Sequence, residues 1–210
     1  MYISEILRPE ILEYSKGLGV EPSLLQAIIQ TECKHESGFV EGTKEPIILY
    51  ECHVAYRLTA KALGKEKADS LARLYPDIIN PYPYNTKYNK YKYGLISEQH
   101  KKFQKAIALV GKPISVQSCS WGIGQIMGEN WWNLGYKSIQ EFINCMYASE
   151  VKQLDAMIRF IKTKKGLLQA IKDKDIKKIA LLYNGTQYAK NQYDVKISQY
   201  YKQFRGKYGT

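Results

Sequence analysis

Glu32 closes the run Pro22-Ser23-Leu24-Leu25-Gln26-Ala27-Ile28-Ile29-Gln30-Thr31-Glu32, in which Leu25, Ile28 and Ile29 stand seven, four and three residues before it. On a helix those spacings share one face, so the carboxyl lies on the apolar side. It also ends the helix, where the macrodipole is negative. Desolvation and the negative helix end both disfavour the ionised form, so a raised pKa and a carboxylic acid held protonated near neutral pH are expected. Such a group can protonate a glycosidic oxygen. The plainer reading of the same residue is an acid that swings out to water or pairs with Lys34.

A second carboxyl is available just downstream, at Glu36, Glu41, Glu45 or Glu51. Glu51 closes the β-prone stretch Ile47-Ile48-Leu49-Tyr50, whereas the other three read as solvated loop acids. An inverting sugar hydrolase needs a second acid about 6.5–9.5 Å from the first to activate water, and a hairpin beside the end of the Glu32 helix is a way to supply one. Two further segments carry groups suited to sugars. In Ser120-Trp121-Gly122-Ile123-Gly124-Gln125-Ile126-Met127-Gly128, the glycines allow a ligand close to the backbone and Gln125 can donate and accept. In Leu182-Tyr183-Asn184-Gly185, a helix ends on an aromatic ring and an amide.

The elements that must position these groups are mostly helical. An opening helix restarts at Pro9 and ends by Gly19, and the helix 22–32 begins with Pro at its favoured first-turn position. Residues 38–51 break the helical period and read as a small hairpin, Phe39-Val40 pairing through a turn with Ile47 to Tyr50. Residues 75–94 hold three prolines and many tyrosines and predict a long ordered loop. Ser138 with Glu141 predicts a capping box, a helix over 149–165 places Val151, Leu154, Ile158 and Ile161 on one face, and 195–208 is a basic aromatic helix.

The chain of 210 residues is long enough for a real core, and with no internal repeat it reads as one mainly α domain. Its apolar runs are far shorter than a bilayer span, and its first residues lack the basic start and apolar stretch of a secretory signal. A net charge of +11 points to an anionic partner, and the predominance of Lys over Arg argues against nucleic acid. Cys33, Cys52, Cys119 and Cys145 are too scattered for a zinc site and read as buried reduced thiols; His35, His53 and His100 likewise lack metal-ligand spacing. Of Trp121, Trp131 and Trp132, one is expected in a groove and two in the core.

Taken in order, these segments resemble the motifs of the lysozyme-like superfamily, and most of all the N-acetylmuramidase domain of bacteriophage endolysins. The similarity runs through Ile28-Ile29-Gln30-Thr31-Glu32, Gly38-Phe39, Ile48-Leu49-Tyr50-Glu51-Cys52-His53, the tryptophan-containing glycine segment, and Tyr183-Asn184-Gly185 with Tyr188-Ala189-Lys190-Asn191. The resemblance implies a lysozyme-like helical fold with a small β-hairpin next to the catalytic helix; many relatives also carry a separate wall-binding domain, for which a single catalytic domain over 1–210 is expected to leave no room. It implies cleavage of the β-1,4 bond between N-acetylmuramic acid and N-acetylglucosamine, without a cofactor. Glu32 would be the catalytic acid and Glu51 the second one, with Gln125, Tyr183 and Asn184 lining the glycan groove. Peptidoglycan strands would be the partner of a monomer, which would accumulate in the host cytoplasm before release to the periplasm or wall. The basic C-terminal helix would be free to touch an anionic envelope surface.

Two departures stand out. Cys33 occupies a position where family members commonly carry Ser, and the stretch from Glu32 to Phe39 is slightly longer than the pattern. The Glu36-Ser37 dipeptide therefore leaves Glu36 as an alternative acid, although only Glu32 ends a continuous apolar helix face. Two other activities also remain open: a lytic transglycosylase using one acid, and a non-catalytic basic wall-binding protein.

Overall fold

A computed structural model of the chain describes residues 2–33 and 36–208. Its elements run α1 (Ile3–Ile6), α2 (Arg8–Leu18), α3 (Pro22–Glu32), β1 (Ile48–Tyr50), α4 (Cys52–Leu63), α5 (Lys65–Leu74), α6 (Ile96–Val110), α7 (Lys112–Gln117), β2 (Cys119–Trp121), β3 (Ile126–Met127), α8 (Ile139–Ala148), α9 (Glu150–Thr163), α10 (Leu167–Lys172), α11 (Ile176–Asn184) and α12 (Tyr193–Arg205). The mainly α class with a small antiparallel sheet is the one read from the sequence. Chain contacts divide these elements into two units: one runs to Gly38 and resumes at Ser149, and the other is Phe39–Ala148. Among the described residues no helix is long and apolar enough to cross a membrane.

The first unit is organised around α3. Every residue from Ser23 to Thr31 is buried, including the polar ones, because α1, α2 and α12 pack against it. Its buried amides are satisfied. The Gln26 amide donates toward the Ser4 carbonyl at 3.3 Å, its oxygen accepts from the Tyr208 hydroxyl at 2.6 Å, and Gln30 accepts from the Ser4 hydroxyl at 2.8 Å. Glu21, just before the helix, is bonded by Lys174 and Tyr201, which hold its carboxyl below the usual carboxylate range. The predicted helix 149–165 is α9, capped by the Ser149 hydroxyl; Leu154, Ile158 and Ile161 are buried, but Val151 faces water.

The second unit holds the sheet, in the order β1-β2-β3. Here the hairpin reading is corrected. Phe39 makes only an isolated bridge to Pro46, and β1 pairs instead with β2, Leu49 opposite Ser120. The hairpin proper is β2-β3, closed by Trp121 opposite Ile126. β1 buries both its ends, so it needs a partner from the core, and the three-residue strand of the Trp121 segment supplies one. Trp121 is itself core, edge-on to Phe103 and Phe142, with its indole N–H donating to the Val116 carbonyl at 3.0 Å. Gly122 turns the hairpin at a φ of 64°, and a Cβ on Gly128 would sit 2.1 Å from the Val116 oxygen. These glycines serve the packing of the protein's own backbone rather than close approach of a ligand. The box at Ser138 is half formed: its hydroxyl accepts from the Glu141 N–H at 3.0 Å, while the Glu141 carboxylate accepts from Lys137 N–H.

Because α3 is enclosed, truncation within it leaves a cavity. Ile28→Ala should lower unfolding free energy in urea titrations by about 2–4 kcal/mol, whereas Leu181→Ala, at a side chain 40% exposed, should cost far less.

Candidate active site

The first unit brings Glu32, Tyr183 and Tyr193 together. Glu32 is the last residue of α3, and one of its carboxyl oxygens is buried. Tyr183 lies in the last turn of α11 and Tyr193 is the first residue of α12. Burial pushes both phenols upward, and the nearby Glu32 carboxylate pushes them further. The Tyr183 ring packs edge-on to Phe160, 5.3 Å between centroids. Asn184, the next residue, has a buried side-chain nitrogen that meets no acceptor among the described residues.

The chain leaving Glu32 is tied down. Cys33 N–H donates to the Ile29 carbonyl at 2.9 Å, and the Gln30 amide donates to the Cys33 carbonyl at 3.0 Å. Further on, the Ser37 hydroxyl and Gly38 N–H both donate to one oxygen of Glu150, at 2.7 and 2.8 Å. Glu36, the alternative acid, is exposed in this stretch. Lys34, the pairing partner weighed for Glu32, and His35 lie outside the described residues.

The second unit builds a pocket for a different carboxyl. Glu51 follows β1 directly and caps the start of α4; its N–H donates to the Ser118 carbonyl at 2.8 Å. The side chain is 15% exposed. Tyr93, at the end of the long loop, donates its hydroxyl to the Glu51 carboxylate, 2.9 and 3.2 Å from the two oxygens. A helix N-terminus and a phenol donor both favour the ionised form, yet burial wins and pushes Glu51 up to about 7. His53 approaches with Nδ1 3.4 Å from the Glu51 carboxylate. The contact is not an ion pair near neutrality, because burial, then Arg57, holds His53 below its ordinary value while Glu51 is held above. Burial, reinforced by Glu51, likewise raises Cys52 to about 11, so its thiol is no nucleophile.

Gln125, expected to line a glycan groove, is half-buried in the β2-β3 turn at a φ of 46°. Its oxygen accepts from the Ser120 hydroxyl at 2.8 Å, and its nitrogen donates to the Gly122 carbonyl at 2.9 Å. One amide hydrogen and one lone pair remain for a ligand. Trp132 is 66% exposed and Trp131 half-buried, so the solvent-facing tryptophan is Trp132. Tyr93 and Tyr193 were not singled out from the sequence, and His53 was named there only as a residue without metal-ligand spacing and as part of the Glu51-Cys52-His53 motif. Only His53 carried a local signal, two residues after Glu51; the tyrosines reach their carboxyls through tertiary packing.

The family model for N-acetylmuramidase matches residues 21–205, drawing on both units. The chain belongs to the N-acetylmuramidase family. This muramidase is also similar to a solved structure described as the crystal structure of Burkholderia AP3 phage endolysin, at 31% identity and a TM-score of 0.78. The match covers 94% of the muramidase chain and 70% of that endolysin. Curated proteins give no significant match. Family membership makes this a peptidoglycan-degrading enzyme, and the site chemistry described above lies within the matched segment.

The Glu51 environment has a thermodynamic signature. Below pH 4.5 the folded and unfolded chains both hold its proton; between 4.5 and about 7 only the folded chain does, so its contribution to stability is lost as pH rises through that window. Relative to Glu51→Gln, the wild type should lose on the order of 3 kcal/mol of unfolding free energy across it. Urea titrations of both proteins over that pH range check this, and parallel curves would mean an ordinary carboxyl.

Proposed function

We propose that this muramidase acts as a phage endolysin, hydrolysing the β-1,4 bond between N-acetylmuramic acid and N-acetylglucosamine, with the whole chain as one catalytic domain. The observation that carries the reading is Glu32 itself: a half-buried carboxyl at the end of an enclosed helix, flanked by two tyrosines, inside a segment matched by the muramidase family. Glu32 transfers its proton to the leaving glycosidic oxygen as the bond to the anomeric carbon breaks. Ionised Glu51 takes a proton from the water that attacks that carbon, leaving a reducing end. Asn184 and Tyr183 line the glycan groove, and Gln125 contributes its remaining amide hydrogen. Release from the cytoplasm to the wall accompanies the endolysin role, with the charge of +11 favouring retention on an anionic envelope through α12.

A second reading has one observation in its favour. With a pKa of about 7, Glu51 is half neutral near neutrality, and a transglycosylase that closes the sugar on itself needs no second carboxylate base.

Mass spectrometry of fragments released from purified peptidoglycan separates these readings. Fragments with reducing N-acetylmuramic acid ends are expected, with release reduced about a thousand-fold in Glu32→Gln. If Glu51 is the base, kcat/KM rises with pH through about 7 and this limb disappears in Glu51→Gln along with most turnover. Anhydro ends together with an active Glu51→Gln protein support the transglycosylase. Full activity in Glu32→Gln with loss in Glu36→Gln would move the acid to Glu36, and no fragments from the wild type would leave a basic binding protein.

A further inference from the structure

The long loop after α5 is unusual in composition. Its one acid is Asp77, near the start, and Lys87-Tyr88-Asn89-Lys90-Tyr91-Lys92-Tyr93 alternates cations with aromatic rings. A loop of mobile lysines would be ordinary solvated surface, but this one is built to hold a shape. Tyr84 and Asn89 are buried at 3% and 2% exposure. The Tyr84 hydroxyl donates to the Asp77 carbonyl at 2.6 Å, and the Asn89 amide donates to the Tyr82 carbonyl at 2.8 Å. Thr86 and Asn89 exchange two backbone hydrogen bonds, and Asn85 N–H donates to the Tyr91 carbonyl. Lys102 fastens the far end, donating to the carbonyls of Lys92 and Tyr93 at 2.8 and 2.6 Å.

On this frame the other rings face water. Tyr88 is 61% exposed and Tyr82 45%, and the two rings pack on one another, centroids 4.8 Å apart at 30°, as one exposed aromatic pair. The Lys87 ammonium sits 4.7 Å over the Tyr88 ring, while Lys90 and Lys92 are exposed beside it. Ring faces stack on the apolar faces of sugars, and an acid-free set of lysines attracts carboxylates. The same loop ends in Tyr93, which holds Glu51, so a polymer lying on the tyrosine pair is led by one rigid segment toward that carboxyl.

We infer that the loop is a docking platform for the peptidoglycan strand, the exposed Tyr82–Tyr88 pair packing against its sugars and Lys87, Lys90 and Lys92 pairing with its peptide carboxylates. This rests on the muramidase reading and assigns to it a binding surface other than the proposed catalytic carboxyls. Single-stranded nucleic acid is the other polymer that aromatic and cationic side chains together can bind. The continuity with Tyr93 and the family membership favour the wall polymer.

The test compares the full chain with Tyr82→Ser/Tyr88→Ser and with Lys87→Gln/Lys90→Gln/Lys92→Gln, circular dichroism and thermal melting confirming that each folds. Cosedimentation with purified sacculi is measured at low and high salt, before and after amidation of the peptide carboxylates. Each variant should bind intact sacculi about five-fold more weakly and show a higher KM with kcat little changed. The lysine variant should also show a weaker salt dependence, and amidation should weaken the wild type more than the lysine variant. Unchanged binding by both variants, while fragments are still released, would overturn the docking inference and leave the muramidase reading standing. Wild-type binding that depends on the loop but yields no fragments would fail that reading instead. Variants that lose binding to an oligonucleotide or to anionic vesicles, but not to sacculi, would also overturn it.

Discussion

The helix that carries Glu32 has no face left for water. Burial from Ser23 to Thr31 forces every neighbour to fit it, and even its glutamines must find partners inside the protein. A polar side chain left unbonded there would cost about 1–3 kcal/mol, so the Ser4 and Tyr208 contacts are as necessary to the packing as the leucines and isoleucines. Position along the axis is then fixed by the same packing, and the terminal carboxyl inherits that rigidity. A proton donor must stand still relative to the bond it protonates, and enclosure of its helix achieves this without a dedicated brace.

The two carboxyls are held by opposite means. Glu32 sits at the C-terminal end of its helix and Glu51 at the N-terminal start of another. Burial holds Glu51 up at about 7, against the Tyr93 hydroxyl, which pulls it toward the anion. A balance of that kind is adjustable. Removing the phenol shifts it upward and admitting water shifts it downward, so the residues around Glu51 set its protonation more than its position in the sequence does.

Local features were legible and distant ones were not. The bounds of α3, the Pro22 start, a helix beginning about Ser149 and the long ordered loop follow from periodicity and turn chemistry over short stretches. The sheet was misread because β1 finds its partner in β2, far along the chain, and a short apolar run does not specify which strand will cover it. Glu32, Tyr183, Asn184 and Glu51 could be picked out from their motifs. The tyrosines beside the two carboxyls could not: Tyr93 meets Glu51 from 42 residues away, and the chain carries 18 tyrosines with nothing local to distinguish it. Gln125 shows the converse, a motif residue whose side chain is spent largely on its own turn.

The unit containing Glu32 is assembled from two separated stretches, with the whole of Phe39–Ala148 between them. During synthesis, α3 therefore leaves the ribosome long before α12, the helix that covers it. The intervening unit is a continuous stretch and can fold while translation proceeds, whereas the apolar surface of α3 waits for residues 193–205. A nascent or prematurely stopped chain would thus hold an intact Glu51 pocket beside an uncovered, aggregation-prone helix. The surroundings of Glu32 are finished among the last parts of the molecule to be made, and the enzyme's own chain order sets when that carboxyl is enclosed.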